Sequence, residues 1–565
     1  MTVLYIILAV VLIFIATGIS GKIKNSRKNR MRVQKQWGKV PDREYSSGDF
    51  NSIKNYFDNV KEGSEGFYID DITWNDLDMD EVFSRLNNTQ TDIGEEYLYK
   101  LLREPTFDTE QLKQRNDLIE YFRSNKVQRE QLQMLLSELG KLRFLNLSEY
   151  IYGKRKGTGK SGLFYKILTV IFIISPFLSA LFPPAIILFF ASIAVNVTMY
   201  FRARNHIVGH LQSLGYLVNM ISTAKRIGRL KYPQLKEYTE HLKQSSGRIS
   251  GISIKLFFFM FYTSENYFFE VIKVFFLGEP IAYHSIFNII DKYRSDFETI
   301  YRQLGELESF ISIASYRDSL EFYTLPEMRY VEAIDTEKAA DDVMPTIDFR
   351  ELYHPLIPKP VTNSFSTSKS VLITGSNASG KSTFLKSVAI NAILAQTVYT
   401  CLAKGYKSCF FNVFSSMALR DNLEAEESYY IVEIKSIKRI LHGLNSHIPV
   451  LCVIDEVLRG TNTVERIAAS SEIIGYIAKG NCICLCATHD IELTQILEDR
   501  VDNYHFQEFF EDDNIFFDYK LYQGKAYTRN AIKLLKLLGY QQQLVDNAEE
   551  RAQDFIYNGT WNKYE

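Results

Sequence analysis

Cysteine is scarce in this chain of 565 residues, and no sign of charge dominates it. The six cysteines all lie between Cys401 and Cys486, too few and too clustered for a secreted disulfide framework. This usage indicates a reducing cytosol for that half of the chain. The formal net charge of −2 gives no overall bias toward nucleic acid or acidic partners, so any charge signal must be local.

Charge is also missing from residues 3–19, which are almost continuously apolar and about long enough to cross a hydrocarbon core. Seven basic residues follow between positions 22 and 35, whereas a cleaved signal peptide carries its positive charge before the apolar run. The sequence predicts an uncleaved anchor with its amino end outside, in preference to an ordinary buried helix. Beside such an anchor, the basic run to Lys39 favours anionic lipid headgroups over nucleic acid.

A second apolar block covers residues 167–200 and is interrupted by Phe182-Pro183-Pro184, which cannot continue a helix. We predict a transmembrane helical hairpin whose basic flanks put both outer ends on the cytoplasmic side of the plasma or inner membrane. Two helices that dip into the interface are the alternative. Residues 256–277 are apolar too, but polar residues interrupt them, and a buried helix is predicted there.

The remaining pattern predicts an all-α core and lever followed by an α/β domain with a mostly parallel sheet. Residues 371–374, 450–454 and 483–487 are the predicted central strands. The predicted domains are an anchor (1–20), a basic linker (21–69), a first helical part (70–160), the hairpin (161–204), a second helical part (205–345), a P-loop domain (346–545) and a carboxyl-terminal tail (546–565).

A phosphate-loop pattern follows the strand at 371–374 and opens a helix. Its glycines let backbone amides curl round a β-phosphate, Lys381 supplies a cation for the β- and γ-phosphates, and Ser382 offers an oxygen to Mg²⁺. ATP and Mg²⁺ are therefore the expected cofactors. The predicted nucleotide-binding residues are Gly375, Ser376, Asn377, Ala378, Ser379, Gly380, Lys381, Ser382 and Thr383.

Two adjacent carboxylates, Asp455 and Glu456, end the next predicted central strand. At this edge of a parallel sheet Asp455 is expected to bind Mg²⁺ and Glu456 to orient the attacking water; a structural ion pair is the alternative. His489 follows another strand, where it can contact the γ-phosphate or serve as a structural residue. Cys482, Cys484 and Cys486 alternate on one strand, which favours packing as small apolar residues over metal binding.

Several motifs together resemble the MutS family of ABC-type ATPases. The strongest are the phosphate loop, Asp455-Glu456-Val457-Leu458-Arg459-Gly460-Thr461-Asn462-Thr463 and Ala487-Thr488-His489-Asp490. Glu351-Leu352-Tyr353-His354-Pro355 is similar to the family's segment ahead of the loop. Weaker likenesses fall within 71–105, 307–314 and 517–540, so the resemblance covers roughly residues 70–150 and 300–550.

The resemblance implies a dimer in which Ser428 of one copy closes over the ATP of the other, with DNA as the ligand. Glu426 stands where mismatch-repair members carry glycine, which places an anion near the triphosphate. Residues 1–69 are too short to hold the mismatch-reading and connector domains. The favoured hypothesis is a membrane-anchored, dimeric, MutS-like ATPase clamp on DNA, in contact with lipid through 3–19 and 167–200. The alternatives are a nucleotide-gated membrane scaffold that recruits proteins and, less favoured, a transporter.

Overall fold

The structure is a computed structural model. It describes residues 26–61, 66–142, 147–153, 159–249, 267–331, 344–376, 378–417, 429–459, 461–511, 514–525, 532, 535 and 539–561. The described residues divide into two compact units. We name them the helical unit, within Met1–Tyr68 and Asp80–Glu321, and the α/β unit, within Ile69–Met79 and Phe322–Glu565. The anchor predicted at residues 3–19 lies outside the described residues.

In the described parts of the helical unit, two short 3₁₀ turns, Pro183–Ala185 and Pro233–Leu235, accompany the α-helices. The bounds of the α-helices are 26–36, Ser47–Lys61, Met79–Leu86 (its first residue counted with the α/β unit), Asp92–Arg103, Thr109–Ser124, Lys126–Leu139, Leu147–Tyr152, Gly159–Leu181, Ile186–Ile227, Lys236–Ile249, Tyr267–Phe275, Gly278–Lys292 and Arg294–Ser319.

Close packing of Asp92–Arg103 against Arg294–Ser319 forms the centre of this unit. Two glycines permit the approach: a Cβ on Gly94 would come within 2.2 Å of Glu308 Oε2, and one on Gly305 within 2.5 Å of Tyr97 Cβ. The Glu308 carboxylate accepts hydrogen bonds from the backbone N–H of Gln90 and from both the N–H and the hydroxyl of Thr91. Side chains larger than hydrogen at the glycines would therefore separate the helices.

The helices Gly159–Leu181 and Ile186–Ile227 form a hairpin around Phe182, with a short 3₁₀ turn at Pro183–Ala185. By length and apolar composition alone, Gly162–Leu181 and Pro183–Asn205 are candidate membrane spans, and only 6% and 17% of their most apolar windows are buried. Large apolar side chains, such as Phe177 at 71% and Ile187 at 73% exposure, cover their surface. The predicted helical hairpin is thus confirmed as helical structure.

The α/β unit contains a six-stranded sheet. Its strands are β4 Val371–Thr374, β6 Asn412–Ser416, β7 Val450–Asp455, β8 Cys482–Ala487, β9 Asp502–Glu511 and β10 Asn514–Gln523. They lie in the order β10-β9-β4-β8-β7-β6, and only the pair β9 and β10 is antiparallel. All residues of β4 and β8 are buried, as is typical of strands covered on both faces. The three predicted central strands are confirmed.

A second, four-stranded sheet has the order β1-β5-β2-β3, with strands β1 Glu327–Arg329, β2 Ile347–Leu352, β3 Asn363–Thr367 and β5 Gly405–Cys409. The helices of the unit are Asp71–Asp76, Lys381–Thr397, Tyr429–Gly443, Thr463–Ile477, Ile491–Ile496 and Gln542–Asn558. Cys452, Cys482, Cys484 and Cys486 belong to its hydrophobic core and are at most 4% exposed, which accords with packing as small apolar residues.

Residues 69–79 are sequence-distant members of the α/β unit. The Asp76 carboxylate accepts hydrogen bonds from Ser415 Oγ at 2.6 Å and from the Met417 N–H at 3.0 Å, while Thr73 Oγ1 accepts from the Ser415 N–H at 3.2 Å. These bonds fasten the segment to β6. The domain boundaries taken from the sequence remain predictions, and they assigned this segment to the helical part from residue 70.

Candidate functional site

The turn between β4 and the helix Lys381–Thr397 forms the phosphate loop, residues 375–382. Gly375 has φ +144° and Gly380 has φ +103°, values that glycine adopts at little cost. A Cβ on Gly375 would lie 2.8 Å from the Phe506 carbonyl oxygen and 2.9 Å from Ser379 Oγ. The neighbouring atoms therefore leave no room for a side chain at Gly375, and the positive φ angles turn the loop sharply.

Lys381 opens the helix and is 3% exposed. Its ammonium donates to the carbonyl oxygens of Gly375 at 2.7 Å and Ser376 at 2.9 Å. Burial lowers the pKa of Lys381 to about 8, and the nearby carboxylates of Asp455 and Glu456 partly offset this effect. A buried cation thus lies within the curl of the loop, where an anion would neutralise it.

The hydroxyl of Ser382 donates to Asp455 Oδ2 at 2.5 Å. The strand order explains why these two side chains lie close together. Because β8 lies between β4 and β7 and all three strands are parallel, their carboxyl ends lie at the same edge of the sheet. A hydroxyl and a carboxylate at this separation are oxygen donors of the kind that Mg²⁺ prefers. These two side chains fit a magnesium site.

Glu456 extends from the same strand end in a left-handed backbone conformation, with φ +66°. Its Oε2 accepts from Arg459 Nε at 2.9 Å, and its Oε1 lies 3.3 Å from His489 Nε2. Burial raises the pKa of Glu456, and Arg459 opposes the rise. A non-glycine residue in this region costs on the order of 1–3 kcal/mol, a strain found mostly at functional sites.

His489 stands on a loop that a second ion pair holds. Arg466 donates from Nε and Nη2 to the two carboxylate oxygens of Asp490, at 2.9 and 2.6 Å. His489 Nε2 also lies 3.5 Å from Lys381 Nζ. Burial and then the Lys381 charge lower the pKa of His489, which keeps the imidazole neutral at neutral pH.

Glu433 lies on the helix Tyr429–Gly443 and supports the turn that follows Asp455 and Glu456. Its Oε1 accepts from the backbone N–H of Leu458 at 2.5 Å and of Arg459 at 3.3 Å. Leu458 is also left-handed, at φ +58°. One carboxylate therefore holds a strained turn through its backbone, and burial raises the pKa of this carboxyl.

A cavity of about 450 Å³ adjoins the loop on the side of Gly380, Ser382 and Thr383. Tyr519 forms one wall, and a Cβ on Gly380 would lie 3.2 Å from its ring. The remaining lining includes Leu352, His354, Ile357, Val361, Phe384 and Phe506. The cavity is mostly apolar and has a phosphate loop at its rim.

Most of the residues predicted from sequence lie together here: the described loop residues, Asp455, Glu456 and His489. Asn377, Ser428 and Glu426 lie outside the described residues. Sequence reasoning assigned no role to the residues Arg459, Arg466, Glu433 and Tyr519. Both arginines follow Asp455 and Glu456 closely in sequence, and this nearness of cations to carboxylates is the signal that could have singled them out. Nothing local marks Tyr519.

Comparison with known proteins agrees with this geometry. Residues 371–556 match the family model of MutS domain V. Over 268 residues the chain is 28% identical to the DNA mismatch repair protein MutS of Acetivibrio thermocellus, an alignment that covers 46% of this chain and 30% of that protein. The chain thus matches less than a third of the length of this relative.

The parallel sheet, the phosphate loop and the strand-end carboxylates define an α/β P-loop domain of the ATPase type. The matched segment extends from β4 into the final helix, so it contains every described residue of the phosphate loop and both carboxylates. The two matches support membership of the chain in the MutS family.

Proposed function

We propose that the α/β unit binds ATP with Mg²⁺ and hydrolyses it. The observation that carries the proposal is the 2.5 Å contact between Ser382 Oγ and Asp455 Oδ2 beside the buried Lys381 ammonium. In the proposed complex Ser382 and Asp455 hold the metal, and backbone amides of the loop bind the phosphates. Bound Mg²⁺ supplies positive charge that offsets the charge of the β- and γ-phosphates.

Lys381 exchanges its contacts with two loop carbonyls for phosphate oxygens when the nucleotide binds. The exchange is favourable because a hydrogen bond from an ammonium to an anionic phosphate oxygen is stronger than one to a neutral carbonyl oxygen. The cavity beside Thr383 receives the nucleoside end, with the Tyr519 ring against it. Substitution Tyr519→Ala is expected to weaken ATP binding more than it lowers turnover at saturating ATP.

Glu456 is the proposed group that orients the attacking water. In the described arrangement Arg459 Nε occupies one carboxylate oxygen, so activation requires that this ion pair loosen when a nucleotide is present. His489, neutral and 3.3 Å from the other oxygen, is placed in our proposal to contact the γ-phosphate. The raised pKa of Glu456 brings it closer to the range where a carboxylate accepts a proton efficiently.

The decisive experiment compares Glu456→Gln with Glu472→Gln, a matched change at an exposed position of the helix Thr463–Ile477. We expect Glu456→Gln to retain ATP and to lose turnover by at least about a hundredfold, because general-base assistance contributes roughly 10²–10⁴-fold. The control should match the unmodified chain. Equal turnover in all three proteins removes Glu456 from the role.

The proposed working form is a homodimer in which Ser428 closes over the partner's ATP, as the family likeness implies. Light scattering with and without a non-hydrolysable ATP analogue tests it. A monomer under both conditions rejects this closure.

We further propose that the hairpin tethers the chain to a membrane with the α/β unit on the cytoplasmic side. The support is the length and apolar exposure of the two candidate spans. The full chain should remain with membranes after alkaline carbonate extraction. Release into the soluble fraction contradicts the tether.

DNA is the proposed ligand, by likeness to a mismatch repair protein. Binding of a labelled duplex by the full chain in detergent should weaken steeply between about 50 and 200 mM salt, because phosphate contacts release counterions. The alternative is a scaffold that hydrolyses ATP slowly and recruits proteins; Glu426, an anion in the loop that would face the triphosphate, favours it. Retained ATP binding with no salt-dependent DNA binding selects the scaffold.

A further inference from the structure

The corner between the helices Tyr267–Phe275 and Gly278–Lys292 lies against the hairpin. The carbonyl groups of Phe275, the last residue of the helix Tyr267–Phe275, and of the following Phe276 lie at a helix end, where carbonyls lack helical partners. Asn196 Nδ2 donates to the Phe275 carbonyl at 2.8 Å. Thr169 Oγ1 lies 2.9 Å from the Phe276 carbonyl oxygen and 3.1 Å from that of Tyr165 in its own helix, so its hydroxyl proton is shared between them. Both donors belong to the candidate spans.

The distance of these donors from the hairpin turn gives their depth in a bilayer that the hairpin spans. At roughly 1.5 Å per residue, Thr169 and Asn196 lie at matching levels, about 20 Å along the helices from the turn at Phe182. A hydrocarbon core is about 30 Å thick. If the turn reaches the far surface, the two capped carbonyls lie about 10 Å inside the near surface.

Ring contacts place the corner at the same depth or deeper. The Phe172 ring, about 15 Å from the turn at roughly 1.5 Å per residue, has its centroid 5.9 Å from that of Phe275 and 5.3 Å from that of Phe276. The helix Gly278–Lys292 then runs back: His284 stacks on Tyr165 at 5.7 Å, and Phe287 stacks on Tyr150 at 5.9 Å. Tyr165 stands near the start of the first span, and Tyr150 precedes it.

The two charged side chains of the corner pair with each other. Lys273 Nζ lies 3.8 Å from Glu279 Oε1, and the two side chains are only 3% and 8% exposed. Val271 and Phe276, in contrast, are 53% and 36% exposed. Charged groups within a membrane pair with one another and face protein, and the helix end has its carbonyls satisfied by neighbouring spans.

We propose that residues 267–292 form a re-entrant membrane element, which enters the bilayer beside the hairpin, turns at Leu277 and returns to the same side. The sharp reversal uses a left-handed residue, since Leu277 has φ +50°. The inference rests on the proposed membrane tether. For residues 267–277 it replaces the buried helix that the sequence predicted over residues 256–277.

Spin labels attached to single introduced cysteines test the element in the full chain reconstituted into liposomes. The native cysteines are at most 4% exposed, so the unmodified protein serves as the label background. Labels go on Phe276→Cys and Val271→Cys in the element, Ile174→Cys in the hairpin and Val127→Cys as the water reference; the last two sites are 46% and 75% exposed. Collision with oxygen and with a water-soluble nickel chelate reports the surroundings of each label.

Both element labels are expected to collide mainly with oxygen, as the Ile174 label does, whereas the Val127 label collides mainly with the chelate. Chelate-dominated collision at Phe276 and Val271 with oxygen-dominated collision at Ile174 overturns the re-entrant element and leaves the tether intact. Chelate-dominated collision at Ile174 as well overturns the tether. Val271→Cys keeps the test decisive if Phe276→Cys fails to fold.

Discussion

The Glu433 carboxylate accepts the backbone N–H of Leu458 at 2.5 Å, across 25 positions of sequence. The bond joins the helix Tyr429–Gly443 to the turn that follows Asp455 and Glu456. Leu458 and Glu456 both have left-handed backbones, so this acceptor helps to maintain a turn that would otherwise relax. Glu433 is in this sense a positioning residue for Glu456 and Arg459.

Removal of this acceptor should lower turnover and spare nucleotide affinity. Hydrogen bonds to charged groups contribute about 1.5–3 kcal/mol, so Glu433→Ala is expected to reduce kcat on the order of tenfold or more, with KM for ATP nearly unchanged because the phosphate loop is not touched. Glu433→Gln, which keeps an acceptor oxygen, should recover part of the loss. Steady-state kinetics with Glu472→Ala as control decide it; a change confined to KM would contradict the assignment.

Gly375→Ala should abolish measurable ATP binding at ordinary concentrations. The added methyl group meets the Phe506 carbonyl at 2.8 Å at a residue with φ +144°, so the loop must shift to admit it. Gly475→Ala is the matched control, because its Cβ finds its nearest neighbour at 3.5 Å and alanine is favourable in a helix. Equilibrium binding of a fluorescent ATP analogue measures both; tight binding by Gly375→Ala would count against the phosphate site.

The helical unit should lose stability as pH rises from about 4.5 to about 7. Burial raises the pKa of Glu308 from 4.5 to about 7, and hydrogen bonds from Thr91 oppose the rise. The folded state binds this proton more tightly than the unfolded state, so the favourable term is complete below pH 4.5 and is lost as the pH passes through 7. At 1.36 kcal/mol per pKa unit this amounts to about 3 kcal/mol.

Glu308→Gln isolates that contribution, because a neutral amide cannot titrate. Urea unfolding followed by helical circular dichroism, at pH 5 and pH 8 in detergent, should show a smaller difference between the two pH values in the variant than in the unmodified chain. Parallel pH profiles for the two proteins would assign the dependence to other groups.

The ion pair of Lys273 and Glu279 should be costly to break and inexpensive to replace. Lys273→Met leaves a buried, uncompensated carboxylate and is expected to destabilise the helical unit by about 3–5 kcal/mol, whereas Lys273→Met with Glu279→Gln should recover most of that loss. Lys236→Met is the control: its partner Glu240 and the lysine itself are 65% and 77% exposed, and exposed pairs contribute about 0–1 kcal/mol. Thermal unfolding in detergent measures all three. A double variant no more stable than Lys273→Met would exclude the pairing account.

The residues of the candidate site were largely predictable because the motifs that contain them are local. Glycine spacing, Lys381 and Ser382 form one strand-loop-helix unit, and Asp455 with Glu456 ends an apolar strand. The predicted central strands were correct for the same reason, since continuous apolar runs mark strands that are buried on both faces. The hairpin followed from an apolar block broken by two prolines.

Contacts between distant segments were beyond such reasoning. The sequence by itself indicated which residues are candidates for a nucleotide site and which segments are apolar enough for a bilayer. Only the tertiary structure decided that β8 lies between β4 and β7, that His489 therefore reaches Lys381, that Glu433 holds Leu458, and that Phe275 and Phe276 meet Asn196 and Thr169. The physical reason is that strand order and helix packing depend on the burial of whole faces, a free energy shared by many residues that no short pattern encodes.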